Sequence, residues 1–290
     1  MSWLLHTTRL TRPALNVFYD LFGRRPPREQ TLGHLAGFRG SRPVRRGNGA
    51  QDQLQLDVYG EVVDAAFQLC LHGAPLDRTT LSMLRDFGRY VCRHWREPDQ
   101  GIWEPRGAPQ HHVHSRVLCW VALDRLLRLA ERGELRLSAR DRRCFVDDRV
   151  ELRREVEERG WNPRLESYTQ TLDGSAVDAS LLLLSWYGFH PANHPRMRAT
   201  YAQVRRELGE RNGLLRRYSS EPGWEEGAFG ICGFWAVEHL ARGGGTLEEA
   251  TGLFEDLLRA GNDVGLFAEE VDPRDGSALG NFPQAFTHVG

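Results

Sequence analysis

Apolar positions recur at helical spacing in successive blocks, at 2–11, 50–72, 78–96, 113–132, 138–159, 174–187, 196–209, 225–242 and 246–261. Within 50–72 the residues Leu54, Val58, Val62, Ala65 and Leu69 line one face, and within 113–132 Val117, Val121, Leu126 and Leu129 do much the same. Stripes of this kind predict helices that turn one side to a core. No run of alternating polar and apolar residues competes with them, so the pattern predicts an all-α protein. Stops are legible as well: His72-Gly73-Ala74-Pro75 ends one helix, Gly188 with Pro191 another, and Gly243-Gly244-Gly245 a third.

The connections between the blocks alternate in length. Segments 73–77, 133–137, 188–195 and 243–245 are short, whereas 12–49, 97–112, 160–173, 210–224 and 262–280 are long. In an antiparallel series of helices every second connection returns to the same end, so the long loops are expected together on one face. Closed on itself, such a series is a toroid of helical hairpins, and left open it is a solenoid of helix pairs. The absence of a fixed repeat period favours the toroid.

Composition narrows the partners. The 290 residues carry 38 basic and 39 acidic side chains, a formal charge of -1, which gives no electrostatic reason for a nucleic-acid or membrane-surface partner. Every basic residue is Arg, a bias of composition that marks no binding site. The five cysteines, Cys70, Cys92, Cys119, Cys144 and Cys232, are widely spaced and form no C-x-x-C pair, so reduced, buried thiols and no metal are expected. The N-terminus has only a two-residue apolar run and no small-residue cleavage site, and no stretch reaches about 18 apolar residues. A cytoplasmic protein is the expectation.

Two long loops hold the candidate chemistry. Loop 97–112 reads E-P-D-Q-G-I-W-E-P-R-G-A-P-Q-H-H and sets Glu104 between Trp103 and Arg106. An indole offers a sugar ring a flat apolar face, and a carboxyl beside it can be tuned into a proton donor. Loop 262–280 brings Glu269 and Glu270 from a distant part of the chain. Two carboxyls delivered to one cleft from separate loops suit glycosidic hydrolysis, one protonating the leaving oxygen and the other activating water. A W-E pair or an E-E pair taken alone is more often a solvated acid beside a packing aromatic, and spacing by itself does not choose.

Longer strings carry a resemblance. They are S-R-P-V-R-R-G-N-G-A-Q-D-Q-L-Q-L-D-V-Y-G-E at 41–61, W-R-E-P-D-Q-G-I-W-E at 95–104 and H-S-R-V-L-C-W-V-A-L-D-R at 114–125. Further on come D-A-S-L-L-L-L at 178–184, E-G-A-F at 226–229, G-L-F-A-E-E-V-D-P at 265–273 and G-N-F-P-Q-A-F-T-H at 280–288. In this order they resemble the catalytic domain of glycoside hydrolase family 15, which includes glucoamylases, glucodextranases and trehalases. The resemblance implies an (α/α)6 barrel and inverting hydrolysis of α-glucosidic bonds, on an α-glucan or on trehalose, without a cofactor. It also implies that Glu104 is the general acid with Trp103 as a sugar platform, and that Glu269 is the general base with Glu270 its nearest competitor. Arg217 and Tyr218 resemble the family's Arg-Tyr pair at the pocket floor, and Arg106 is taken as a further substrate contact.

The family's Arg-Asn-Trp-Asp-Tyr-Arg string has no counterpart here. By resemblance the whole stretch 1–290 is a partial catalytic domain that starts within the third barrel helix and stops as the twelfth begins, with no N-terminal β-sandwich. Candidate partners that would complete it are a separately encoded N-terminal part or a second copy of the chain. The alternative reading is a catalytically inactive fragment, or a carbohydrate-binding or regulatory barrel of the same kind. Of the remaining polar groups, His111, His112 and His114 lack the accompanying ligands of a metal site. Asp57 and Glu61 are expected along the barrel wall, and Asp178 as a helix cap. Trp120, Trp161, Trp224 and Trp235 are expected to be mainly in the core.

Overall fold

The structure, a computed structural model, describes residues 3, 7, 12–25, 27–219 and 226–289. The helix expected at 2–11 falls outside these residues except for Trp3 and Thr7, and Trp224 also lies outside them. The chain forms two compact units, Met1–Arg154 and Glu155–Gly290. Among the described residues no helix is long and apolar enough to cross a membrane.

The first unit contains helices α1 (Asp57–Leu71), α2 (Arg78–His94), α3 (Val113–Glu131) and most of α4 (Ala139–Arg159). Before α1 runs an extended segment with the two-residue strands β1 (Gln30–Thr31) and β2 (Arg45–Arg46), paired antiparallel. The helix expected from residue 50 thus begins at Asp57, because Asn48 instead caps a single 3-10 turn at Gly49–Asp52 through Oδ1 and the Ala50 amide, 2.9 Å apart. The buried stripe of α1 also differs from the expected one. It consists of Leu56, Tyr59, Val63, Ala66, Phe67 and Cys70, and of the predicted face only Val62 is fully buried. Two acids in the helix, Asp57 and Asp64, are themselves buried, and that disguises the stripe in a reading of polarity.

Helix α3 is buried on every side from Val113 to Leu127, so it is the central helix of this unit rather than an amphipathic one. Its charged residues are admitted by pairing: Arg125 Nε donates to Asp64 at 2.6 Å and Arg125 Nη1 to Asp124 at 2.8 Å, while Arg149 on α4 reaches Asp124 at 3.0 Å. The approach of α1 to α3 depends on Gly60. A Cβ there would lie 2.4 Å from the Leu118 carbonyl oxygen.

The second unit continues α4 and adds α5 (Leu183–Trp186), α6 (Pro195–Leu208), α7 (Gly230–His239), α8 (Leu247–Leu258) and α9 (Ala285–Val289). Leu214, Ala228, Phe234, Leu257 and Val271 form a buried cluster, with Leu253 and Phe267 packed on it. Helix α8 starts in a capping box, in which Thr246 and Glu249 each bond the other's backbone amide. The helix expected at 174–187 is short: a 3-10 turn at Ala179–Leu182 leads into α5. Asp178 stands at the cap position but makes no side-chain cap bond, and its Oδ1 accepts instead from Ser180 Oγ at 2.6 Å.

Two-residue strands, which were not expected, occur in the long connections and also at Ala228–Phe229, inside the block 225–242 expected to be helical. β3 (Trp161–Asn162) pairs with β4 (Ser167–Tyr168), and β5 (Ala228–Phe229), β6 (Glu270–Val271) and β7 (Ala278–Leu279) form a small antiparallel sheet. Two-residue strands are too short to print an alternation on the sequence. Trp120 and Trp235 are buried as expected, and Trp161 is half-buried.

Candidate active site

In the first unit, loop 95–112 is stitched to the segment before α1. Asp99 and Gln110 exchange backbone bonds of 2.9 and 2.8 Å, and the Gln100 amide donates to the Leu54 carbonyl at 3.0 Å. The buried Asp99 carboxylate accepts from the Leu56 amide at 2.9 Å and from Ser115 Oγ at 2.7 Å, tying the loop to the starts of both α1 and α3. Gly101 turns the chain at φ +63° directly over His112, whose ring a Cβ would meet at 2.9 Å. These fastenings fix where Trp103 and Glu104 stand.

Glu104 has φ 51°, in the left-handed region, a placement that costs a non-glycine residue roughly 1–2 kcal/mol. Its Oε2 accepts from Asn48 Nδ2 at 2.8 Å, and among the described residues Oε1 has no partner. One oxygen is therefore held and the other is open. Trp103 is only 7% exposed, so little of the expected sugar platform is open to solvent. Arg106 is exposed and pairs with Glu29 at 3.0 Å, while Gln53 Nε2 holds the Pro105 carbonyl at 2.9 Å.

Beneath this loop lies a set of buried polar groups. Asp57 Oδ1, Asp99 Oδ1, His112 Nε2 and both ring nitrogens of His114 have no hydrogen-bond partner among the described residues. Burial, with the nearby charges of Asp99 and Glu61, pushes the Asp57 carboxyl well above the usual carboxylate range, and burial lowers His114 to about 3. His114 is thus neutral near pH 7. Glu61, expected beside Asp57, is exposed.

In the second unit, the connections 160–182, 209–229 and 259–284 converge. Asp178 bridges to Tyr218, the Ala179 amide donates to the Arg217 carbonyl at 2.8 Å, and Phe229 stands opposite Glu270 in the β5–β6 register. The Arg217 guanidinium pairs with Glu226, with a 2.9 Å bond from Nε, and lies over the rings of Tyr218 and Phe229 at 4.8 and 5.2 Å. Glu270 Oε2 accepts from the Gly227 amide at 3.0 Å. Burial and the Glu226 charge raise Glu270 to about 7, against the opposing effects of the Gly227 amide and Arg217.

Glu269 is held differently, on the opposite side of the β6 strand. Its Oε2 accepts from both the backbone amide and Nδ2 of Asn281, each at 2.9 Å, and its own amide donates to the Asn281 carbonyl at 2.9 Å. Gly280 makes room for this, since a Cβ there would stand 2.7 Å from that same oxygen. The two adjacent glutamates therefore differ in chemistry: Glu269 accepts two bonds from Asn281, whereas Glu270 accepts one and is half-buried beside another acid. Asn48, Asn281 and Glu226 were not singled out from the sequence. The available signal was the G-N pair at 47–48 and again at 280–281, each within a string that carries the resemblance.

The model of the family described as "Glycosyl hydrolases family 15" matches residues 1–290. The chain belongs to this family. Among its family 15 relatives, the Trehalase of Mycolicibacterium smegmatis is 41% identical over 283 residues, covering 96% of this chain and 42% of that protein. The Trehalase of Mycobacterium tuberculosis is 42% identical over 286 residues, covering 96% of this chain and 41% of that protein. The chain thus spans about two fifths of the length of these relatives. A crystal structure of bacterial glucoamylase complexed with acarbose superposes with a TM-score of 0.72 at 12% identity, over 99% of this chain and 43% of that one. That likeness assigns the fold, the all-α (α/α)6 barrel, of which this family 15 chain spans a part.

Proposed function

We propose that the protein carrying this chain hydrolyses α,α-trehalose with inversion at the attacked anomeric carbon, and that residues 1–290 form part of its catalytic barrel. The observation that carries this reading is the likeness to trehalases at 41–42% identity over 96% of the chain, far above the 12% to the glucoamylase. Trehalose therefore takes precedence over an α-glucan as substrate.

In this proposal Glu104 protonates the leaving glycosidic oxygen and Glu269 activates the water that attacks from the opposite face of the sugar. The support from geometry is that each carboxylate is anchored at one oxygen, Glu104 by Asn48 and Glu269 by Asn281, which leaves the other oxygen for substrate or water. Arg217 and Tyr218 serve as sugar contacts, the guanidinium carbon lying 4.8 Å from the centre of the Tyr218 ring. Glu270 is a polar wall of the same end of the unit, and Trp103 and Arg106 flank the acid. No cofactor takes part.

Comparing wild type with Glu104→Gln and Glu269→Gln on trehalose and on maltose tests this. Each substitution is expected to lower kcat on trehalose by about a thousandfold or more, with KM nearly unchanged. Trehalose is expected to be the better substrate. Undiminished turnover in either variant overturns the role of that residue, and a preference for maltose overturns the choice of substrate.

A further inference from the structure

In the first unit, away from the residues discussed above, Cys92 on α2 and Cys144 and Asp148 on α4 bring two sulfurs and a carboxylate oxygen within 4.8 Å of one another. Cys144 and Asp148 are one helical turn apart on the same face of α4, and Cys144 Sγ lies 3.5 Å from Asp148 Oδ2. The other oxygen, Asp148 Oδ1, accepts from the Trp95 indole at 3.0 Å and from the Arg96 guanidinium at 3.3 Å. The carboxylate is thus oriented by its outer neighbours and presents Oδ2 to the two thiols. Neither Cys92 nor Cys144 is fully buried, contrary to the sequence expectation for the cysteines. They face a cavity of about 380 Å³ that Arg89, Arg93 and Arg140 also line.

We propose that Cys92, Cys144 and Asp148 Oδ2 form a binding site for a thiophilic divalent cation such as zinc, with the fourth coordination position open to this cavity. Zinc bonds of about 2.3 Å to sulfur and 2.0–2.2 Å to oxygen set tetrahedral ligand atoms roughly 3.3–3.8 Å apart. The present spacing closes to that by about 1 Å, within reach of thiol rotation. Trp95 and Arg96 then act as the outer hydrogen-bond donors that hold a metal-binding carboxylate in place.

The arginines around the cavity do not oppose this, because loading leaves the charge of the site unchanged. Before binding, two neutral thiols and one carboxylate carry -1. When the cation enters, two S–H bonds break and two sulfur–metal bonds form, both protons pass to solvent, and two thiolates, a carboxylate and a dication again carry -1. Arg89 is in any case neutralised by Asp141, at 2.8 and 2.7 Å. Arg93 and Arg140 are exposed and screened. No metal site is expected from the sequence, since the two cysteines come from different helices with no C-x-x-C spacing.

The test is titration of the reduced, chelator-stripped chain with Zn2+ or Co2+ alone. Expected are one cation per chain, two protons released per cation, and a thiolate-to-cobalt charge-transfer band. Cys92→Ser and Cys144→Ser are each expected to weaken binding at least a hundredfold, and Asp148→Asn about 10–100-fold. In the unsubstituted chain, zinc should slow alkylation of Cys92 and Cys144 at least tenfold and leave Cys70 unaffected, a readout that does not depend on a variant folding. Zinc binding that persists in the double Cys variant, unchanged alkylation, or a Cys92–Cys144 disulfide forming as fast with zinc as without it overturns the proposal.

Discussion

Asn48 donates from Nδ2 to Oε2 of Glu104 at 2.8 Å while its own Oδ1 accepts from the Ala50 amide at 2.9 Å. One side chain therefore both caps a 3-10 turn and orients the proposed acid. In the second unit, Asn281 performs the same donation to Glu269 at 2.9 Å.

Because the two roles of Asn48 use different atoms, substitution can separate them. Asn48→Ser keeps an oxygen for the Ala50 amide but does not reach Glu104, so kcat is expected to fall about tenfold with stability unchanged, a tenfold loss being about 1.4 kcal/mol. Asn48→Ala removes the cap as well and is expected to cost about 1 kcal/mol of stability in addition. Steady-state kinetics and urea unfolding measure the two effects, and equal activity in wild type and the Ser variant would contradict the positioning role.

Gly60 sits where α1 approaches α3, and a methyl group there meets the Leu118 side chain and also the Leu118 carbonyl oxygen, which cannot swing aside. Gly60→Ala is expected to destabilise by about 1–3 kcal/mol despite the higher helix propensity of Ala, since overpacking outweighs a propensity gain of about 1 kcal/mol. A rise in the urea midpoint would show that the two helices separate freely.

Asp64 and Arg125 form a buried pair at 2.6 Å. Asp64→Ala leaves Arg125 with Asp124 as its remaining carboxylate partner in that pair of bonds, and a loss of about 3 kcal/mol is expected, at the lower end for a broken buried pair. Thermal or urea unfolding gives the value, and a change below about 1 kcal/mol contradicts a dependence of the α1–α3 contact on this pair.

Glu270 carries a pH dependence whose sign follows from its environment. Its folded value is raised to about 7 from 4.5, by burial first and by Glu226 second. Between these values the folded protein keeps a proton that the unfolded chain releases, so this group's contribution to stability declines as pH rises from about 4.5 to about 7 and is level outside that window. Glu270→Gln is expected to gain stability relative to wild type across the window and to match it below. Glu226→Gln should bring Glu270 back toward the usual carboxylate range, leaving Arg217 less neutralised beside it. Unfolding midpoints of the variants followed from about pH 4 to about pH 8 decide this, and parallel curves for wild type and Glu270→Gln refute it.

Much of the fold was legible because helices print their period on the sequence over several turns. Helices α2, α3, α4, α6 and α8 fall within a few residues of the expected blocks, and the short and long connections alternate as read. What polarity hid was burial of charge: Asp64 in the stripe of α1, and Arg116, Asp124 and Arg125 in the buried stretch Val113–Leu127 of α3, are admitted by partners that no periodicity reveals, and Asp57 is buried without such a bond at Oδ1. The strands were invisible for want of length. Glu104 and Glu269 could be named from the strings around them, yet their anchors Asn48 and Asn281 come from 56 and 12 residues away, and only the folded chain brings them together.

The central claim is inversion at trehalose, and the anomeric form of the products tests it most directly. Proton NMR of the first turnovers, recorded before mutarotation, should give α-glucose and β-glucose in equal amounts. The leaving sugar keeps its α configuration and the attacked sugar becomes β. Initial release of α-glucose alone would contradict the account.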